Sequence, residues 1–366
     1  MWIIGCDFHP SGQQVYTVNR ETGEVVERWL SHSSEEVDEF YSALPWGSEV
    51  GVETSGNMLW FERKLAQYGH QLRIGDAAKI QARETRKQKH DRRSAELIYR
   101  LMEKKDFPEL KWVPSLEQRD LRQLLLHRHK LVRMRAQVKN QLQHIALNQG
   151  QQKKWQLWTK TGQELLKNLA LERWTGRRRD DLLKLLESLN GYCEGLDAAV
   201  EQAAQARAEA RRLMTHPGIG PVISLAAVLT LGNVQERFET SRQLVSYLGL
   251  NPAEASSGTR RRLGSISKQG SSFMRLLLIQ GAQTAVRGDA ELARQYRRLA
   301  VKKNKGIAKV MVARKLAVRV FWMLKTNKTY PELVRMRGSS SHPGVAVTET
   351  DALSERPASR SGRKKM

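Results

Sequence analysis

From Met1 to Ile74 apolar and polar residues alternate in short runs, and the alternation predicts strands interleaved with helices. Met1-Trp2-Ile3-Ile4-Gly5-Cys6-Asp7-Phe8-His9 is a nearly continuous apolar run, the mark of a strand buried on both faces, and it closes on a carboxylate at Asp7. Gln14–Val18 and Glu24–Leu30 alternate as antiparallel strands joined by a turn at Glu21-Thr22-Gly23. Ser34–Leu44 has helical spacing, with Ser34 at its start, Glu35 and Glu36 at the positive end of the dipole, and Val37, Phe40 and Leu44 on one face. Glu49–Glu53 is a second apolar strand ending in an acid, Met58–Tyr68 a second helix, and Gln71–Ile74 returns as a strand. Residues 1–110 are therefore expected to form an α/β domain.

Beyond Lys79 the pattern changes. Arg83, Arg86, Lys87, Lys89, Arg92 and Arg93 form a basic run leading into a helix at Arg92–Lys105. Between Pro114 and Pro217 there is no proline, and Leu121, Leu124, Leu125, Leu131, Val132, Val138, Leu142 and Ile145 recur at helical spacing among good helix formers. Two long helices are expected, at about Leu116–Asn148 and Leu196–Met214, with shorter ones between. Together they would make residues 111–212 a coiled-coil-like arm suited to dimerisation, or an ordinary helical bundle. Residues 213–337 begin with the turn His216-Pro217-Gly218-Ile219-Gly220-Pro221. Helices are expected at Val222–Leu231, Ser241–Leu248, Ser271–Ala285, Ala290–Lys302 and Gly306–Lys325. Residues 338–366 lack periodicity and read as a disordered basic tail.

Charge changes the picture more than length does. The 366 residues carry 62 Lys+Arg against 38 Asp+Glu, a net charge of +24 and a pI near 10.2, which calls for a polyanionic partner. Nucleic acid is the first candidate and a membrane surface the second. No apolar run reaches the roughly 20 residues that cross a bilayer, and no signal-peptide core follows Met1, so a cytoplasmic, nucleoid-associated protein is expected. Cys6 and Cys193 are far apart and lack metal-ligand spacing, which excludes a disulfide framework; Cys6 reads as a small core residue.

Two sets of residues carry candidate chemistry. Ser256-Ser257-Gly258 is followed by Arg260, Arg261, Arg262, Lys268 and, further on, Arg275. Attack of a serine hydroxyl on a phosphodiester builds charge on phosphoryl oxygens, and forked guanidinium donors match that charge. The alternative is a solvated basic turn. The Gly218-Ile219-Gly220 turn, opening a helix, could present backbone amides to a phosphate, or be a tight loop before a buried helix. The second set is acidic. Asp7 and Glu53 close strands and Asp91 starts a helix, so the three can converge at one sheet edge and hold Mg²⁺ through hard oxygen ligands. Two such ions about 4 Å apart support phosphodiester displacement. Each acid taken singly reads as a strand-end or turn cap. Trp155, Trp158 and Trp174 could stack on bases, with helix packing as the other use.

Gly5-Cys6-Asp7, Val52-Glu53-Thr54-Ser55-Gly56 and Lys89-His90-Asp91-Arg92-Arg93-Ser94-Ala95-Glu96 resemble the DEDD half of the IS-one-ten family of insertion-sequence transposases. Pro217-Gly218-Ile219-Gly220, Arg237-Phe238, Arg242-Gln243-Leu244-Val245-Ser246-Tyr247-Leu248-Gly249-Leu250 and Ser257-Gly258 resemble its C-terminal half. The resemblance runs in order from Ile3 to Leu324. It implies a RuvC-like, RNase H-type α/β domain, a long α-helical coiled-coil arm, and a mainly α-helical C-terminal domain carrying a catalytic serine. It implies Asp7, Glu53 and Asp91 as metal ligands for Mg²⁺ and Ser257 as nucleophile, with Ser256 as the alternative. It further implies donor and target DNA and a structured bridge RNA as partners, and a dimer or tetramer as the working form. The family pattern places a further aspartate three residues after the first on the helix, where this chain has Ser94. Residues i and i+3 share a face, so a hydroxyl that ligates weakly stands where a charge is expected. Glu96 and Asp76 are the acids that could compensate, although Glu96 lies on another face. The competing functions are a metal-dependent nuclease or junction resolvase that uses water, and a nucleic-acid-binding copy with impaired catalysis.

Overall fold

A computed structural model describes residues 1–84, 90–152, 156–254 and 262–339. The chain divides into two compact units, Met1–Val113 and Pro114–Met366.

The first unit is built on β1 (Trp2–Phe8), β2 (Gly12–Asn19), β3 (Val25–Ser31), α1 (Glu36–Ser42), β4 (Glu49–Glu53), α2 (Leu59–Gln67), β5 (Gln71–Gly75), α3 (Ala77–Ala82) and α4 (Asp91–Glu103). The five strands lie in the order β3-β2-β1-β4-β5. β1 runs antiparallel to β2 and parallel to β4, so the sheet is mixed and β1 is central. Strand alternation sorts the residues between two faces. Ile4, Cys6, Phe8, Val50 and Val52 pack with Val37, Tyr41, Phe61 and Leu65 on the side of α1 and α2. Ile3 and Val18 pack with Ile98, Tyr99 and Met102 of α4 on the other. Cys6 is buried as expected; burial pushes its thiol well above the ordinary range, and it donates to Gln13 Oε1 at 3.3 Å.

Between these two layers sit paired glycines. Gly5 and Gly51 are register partners on adjacent parallel strands. A Cβ on Gly5 would lie 2.0 Å from the Ala95 carbonyl oxygen and 2.5 Å from the Tyr99 nitrogen. One on Gly51 would lie 2.1 Å from Met102 Sδ. Two bare backbone positions thus let α4 lie directly on the sheet, which fixes the start of the helix against the carboxyl ends of β1 and β4.

The second unit is mostly helical: α5 (Leu116–Asn148), α6 (Lys160–Lys167), α7 (Arg173–Gln205), α8 (Ala208–Met214), α9 (Pro221–Leu231), α10 (Val234–Arg237), α11 (Ser241–Tyr247), the hairpin β6 (Pro252–Glu254) and β7 (Leu263–Ile266), α12 (Ser272–Gly288), α13 (Ala290–Lys302), α14 (Lys305–Lys325) and α15 (Tyr330–Ser339). Ser115 and Gln118 close a capping box at the start of α5. α5 and α7 pack along their length around Val138, Leu142, Leu186 and Leu189, and Trp158 joins that cluster with Lys139 over its ring at 5.0 Å. α14 is the spine of the remainder, burying Val312, Leu316, Val320, Phe321 and Met323 where it packs with α11, α12 and α13. No helix among the described residues is long and apolar enough to cross a membrane.

α3, α10, α15 and the β6–β7 pair add to the expected elements, and one expected helix has different bounds. The second long helix starts at Arg173, not Leu196, and breaks at Arg207 (φ −111°, ψ 122°) before α8. Gly176, Gly191 and Gly195 and the Arg-rich first turn masked its periodicity; a Cβ would clash at none of the three, so these glycines cost propensity without blocking the helix. Trp155 and residues 340–366 fall outside the described residues, and Trp174 is exposed beside Arg173.

Gly5→Ala is expected to destabilise the first unit by about 2 kcal/mol or more, because the intruding methyl meets backbone and not a flexible side chain. The thermal midpoint should fall by roughly 10 °C. A midpoint within a degree of the parent would show that α4 can move away at little cost.

Candidate functional site

The register Cys6↔Val52 sets Asp7 and Glu53 side by side at the carboxyl ends of two parallel strands. Since Cys6 and Val52 face α1 and α2, both acids fall on the side of α4. Asp7 is buried and Glu53 half-buried. Asp91 opens α4 and is exposed. His9 joins them: its Nε2 lies 3.5 Å from Asp7 Oδ2 and 3.6 Å from Asp91 Oδ1. One ligand atom from each of the three can be chosen so that all lie within 4.8 Å of one another. Two carboxylate oxygens and an imidazole nitrogen suit a hard divalent cation, and the nitrogen extends the fit from Mg²⁺ toward Mn²⁺.

Glu53 and Ser94 border one narrow cleft with Ile80, Gln81, Glu84 and Ile98. Ser94 is nearly buried and its hydroxyl donates back to the His90 carbonyl at 3.4 Å. Of the acids considered as substitutes, Glu96 pairs with Arg100 at 2.6 Å, and Asp76 caps α3 while pairing with Lys79 at 3.6 Å. Besides Glu53, the carboxylate that lines the Ser94 cleft is Glu84. His9 and Glu84 were absent from the sequence reading. Asp7-x-His9 does carry a signal, because alternate residues leaving a strand share a face. Glu84 carries none, since only the fold of α3 brings it to Ser94.

The basic residues divide by partner. Arg83 holds Asp106 through two bonds of 2.8 Å, and Arg92 pairs with Glu27. Arg93 is exposed. Arg86, Lys87 and Lys89 lie outside the described residues, as do Ser256, Ser257, Gly258, Arg260 and Arg261. The described ends of that serine segment are the antiparallel strands β6 and β7. Arg262 and Lys268 are exposed, Lys268 at φ 58°. Arg275, expected to meet phosphate, is corrected here: it is buried. Its guanidinium donates to the Leu248 carbonyl at 3.2 Å and the Gly270 carbonyl at 3.3 Å, and also to that of Gln269. It braces the base of the hairpin, because a buried cation must spend its donors on whatever acceptors surround it.

Gly218 has φ 89°, and a Cβ there would lie 2.4 Å from the Gly281 carbonyl oxygen, so its side of the turn presses on α12. Gly220 caps α9 with open space beside it, and the turn lines a 630 Å³ depression with Gln280 and Thr284. Behind the turn, Arg319 donates to Asp289 and Glu291, each at 2.7 Å, and to His216 Nε2 at 3.1 Å. His216 Nδ1–H donates to the Pro217 carbonyl at 2.6 Å, and the Tyr330 hydroxyl donates to Asp289. Burial and the Arg319 charge pull His216 down to about 4, so the neutral ring is the one that fits.

Residues 4–149 match the DEDD transposase domain of IS110, described as Transposase, and residues 210–297 match the family described as Transposase IS116/IS110/IS902 family. The chain is similar to the "Probable family 20 transposase" of Pseudomonas aeruginosa, 29% identical over 342 residues that cover 89% of this chain and 97% of that protein. It is similar to the transposase for insertion sequence element IS1111A of Coxiella burnetii, 31% identical over 187 residues, 47% of this chain and 48% of that one. It is also similar to the transposase for IS1328 of Yersinia enterocolitica, 25% identical over 343 residues, 89% of this chain and 97% of that one.

The His216 network predicts a pH dependence. The folded value lies below the unfolded 6.5, so its contribution is complete above pH 6.5 and is lost as pH falls toward 4. The loss should approach about 3 kcal/mol. Asp289, held below the ordinary carboxylate range chiefly by Tyr330, Leu292 and Arg319 against its burial, adds a loss only below about pH 4. Denaturant midpoints of the parent should drop between pH 6.5 and 4, and those of His216→Gln should stay flatter; equal slopes would remove His216 as the cause.

Proposed function

Because the chain belongs to the IS116/IS110/IS902 family of insertion-sequence transposases, we propose that it cuts and rejoins DNA through a serine–phosphate intermediate with the help of a divalent-metal site. The observation that carries the reading is the convergence of Asp7, His9 and Asp91 at the carboxyl edge of a mixed sheet ordered β3-β2-β1-β4-β5. That order, with its acids, supports an RNase H-type, RuvC-like domain. Asp7, Asp91 and His9 would hold the ion, with Glu53 beside them and Glu84 standing in for the acid that Ser94 replaces. A bound Mg²⁺ supplies Lewis-acid stabilisation of phosphoryl oxygens.

In the second unit Ser257 is the proposed nucleophile. Its Oγ–phosphorus bond forms as the phosphorus–oxygen bond to the outgoing strand breaks, and the hydroxyl proton passes to the leaving oxygen. The cations around the hairpin oppose the charge that builds on phosphorus, and Arg275 positions the hairpin by fixing its base. The reading includes a bridge RNA that selects donor and target DNA, and a dimer or tetramer assembled through the α5–α7 arm.

Two measurements test it. Protein co-expressed with the non-coding RNA flanking its element, given labelled donor and target DNA and Mg²⁺, should yield a covalent adduct on a denaturing gel. Ser257→Ala should abolish the adduct while leaving DNA binding intact. Cleavage without an adduct in the parent would instead assign attack to water. Separately, isothermal titration of Mn²⁺ and Mg²⁺ should show His9→Ala weakening Mn²⁺ about tenfold to a hundredfold and Mg²⁺ less. Glu84→Gln should weaken both ions, and unchanged isotherms in both variants would exclude His9 and Glu84 from the site.

A further inference from the structure

α13 has two unlike faces. Leu292 is buried in the core that α12 and α14 share, with Tyr296 packed against that core, and Leu299, seven residues further on, is buried as well. On the other side Arg294, Arg297, Arg298 and Lys302 recur at helical spacing, and Lys303 and Lys305 continue the series through the elbow into α14. All six are exposed. Among the described residues none of the six has a side-chain hydrogen bond or salt bridge, whereas the neighbouring Glu291 is held by Arg319 and Lys315. From Leu292 to Lys305 the sequence contains no acid at all.

A helix face that merely dissolves in water does not need this arrangement. Arg294/Arg298 and Arg298/Lys302 are like charges at i and i+4, which destabilise a helix; α7 by contrast pairs Arg177 with Asp181 at the same spacing. Lys303 and Lys305 also flank the start of the 21-residue α14, where the helix dipole is already positive. Val301 stands within the stripe at 88% exposure, an apolar side chain set among cations.

We propose that this stripe is a track for the phosphate backbone of duplex DNA. Arg294 to Lys302 spans about 12 Å, and a duplex presents roughly seven negative charges over that length, enough to meet every cation on the stripe. No aromatic ring projects from this face, so unpaired bases find nothing to stack on, and a duplex is favoured over a single strand. Val301 would lie against sugar edges between phosphates. The inference takes its partner from the DNA-processing reading above but needs neither its metal nor its serine.

The test is equilibrium binding of the full chain to a labelled duplex of random sequence, by fluorescence anisotropy over a series of NaCl concentrations in chelator. In Arg294→Gln/Arg297→Gln/Arg298→Gln the slope of log affinity against log salt should become shallower by about 2.7, three contacts at roughly 0.9 each. The corresponding triple Arg→Lys variant should keep the parent slope, since phosphate needs the charge. An unchanged slope in the Gln variant, with an unchanged thermal midpoint, overturns the proposal. A slope change seen with a structured RNA hairpin and absent with duplex DNA overturns it as well, by assigning the stripe to RNA. Because chelator silences metal-dependent cleavage, a failed adduct experiment leaves this result standing, and the reverse also holds.

Discussion

The contact between α4 and the sheet at Gly5 and Gly51 sets where Asp91 stands relative to the acids at the ends of β1 and β4. A hypothetical methyl 2.0 Å from a carbonyl oxygen leaves no latitude: the helix sits where it does because two neighbouring strands offer no side chain at the same level. Once α4 is seated, its first turn is held at the ends of β1 and β4, and Asp91 has no route away from Asp7. His9 follows from the same constraint, since the strand that must present Asp7 to the helix presents its second neighbour on the same side. Backbone proximity thus converts three residues scattered through the sequence into one constellation.

In the second unit the organising groups are buried cations. Arg319 gathers two carboxylates and a neutral imidazole behind the Gly218 turn, and Arg275 gathers backbone carbonyls beneath the hairpin. Burying a guanidinium is costly unless its donors are met, and removing a partner leaves that cost exposed. In a chain of net charge +24 this separates two populations. Cations with acid or carbonyl partners hold the fold together, and those left in solvent without one define where a polyanion can lie. Net charge alone points to nucleic acid, and only the sorting by partner says which residues face it.

That sorting explains what the sequence could and could not reveal. The central strand was legible because burial on both faces leaves a continuous apolar run, and the acids were legible because strand ends are marked by turns. The α/β first unit and helical second unit followed from the change of period near Lys79. The start of α7 was hidden, because Gly176 and an arginine-rich turn imitate a loop while tertiary packing carries the helix through. Arg275 read as a phosphate contact because a basic stretch looks alike whether its cations point out or in; only the carbonyls of a distant loop, at Leu248, turn it inward. Glu84 was illegible for the same reason, since its place in the cleft beside Ser94 is set by the fold around α3 and α4 and by no local spacing.

Charge counting bears on how the two candidate chemistries divide the work. In the proposed site Asp7 and Asp91 together would balance one divalent ion, with His9 as a further ligand. With Ser94 in place of a carboxylate, a second ion would have to be balanced by Glu53 and Glu84, which line the same cleft as Ser94. A site that balances one ion readily and a second only through borrowed acids is better suited to gripping a phosphate than to preparing a water from both sides, the task for which paired metals are arranged. A separate nucleophile would then be useful, the part that the proposed mechanism gives to Ser257. The weakened acid set and the basic serine segment, which look like unrelated peculiarities of the chain, are on this reading two halves of a single division of labour.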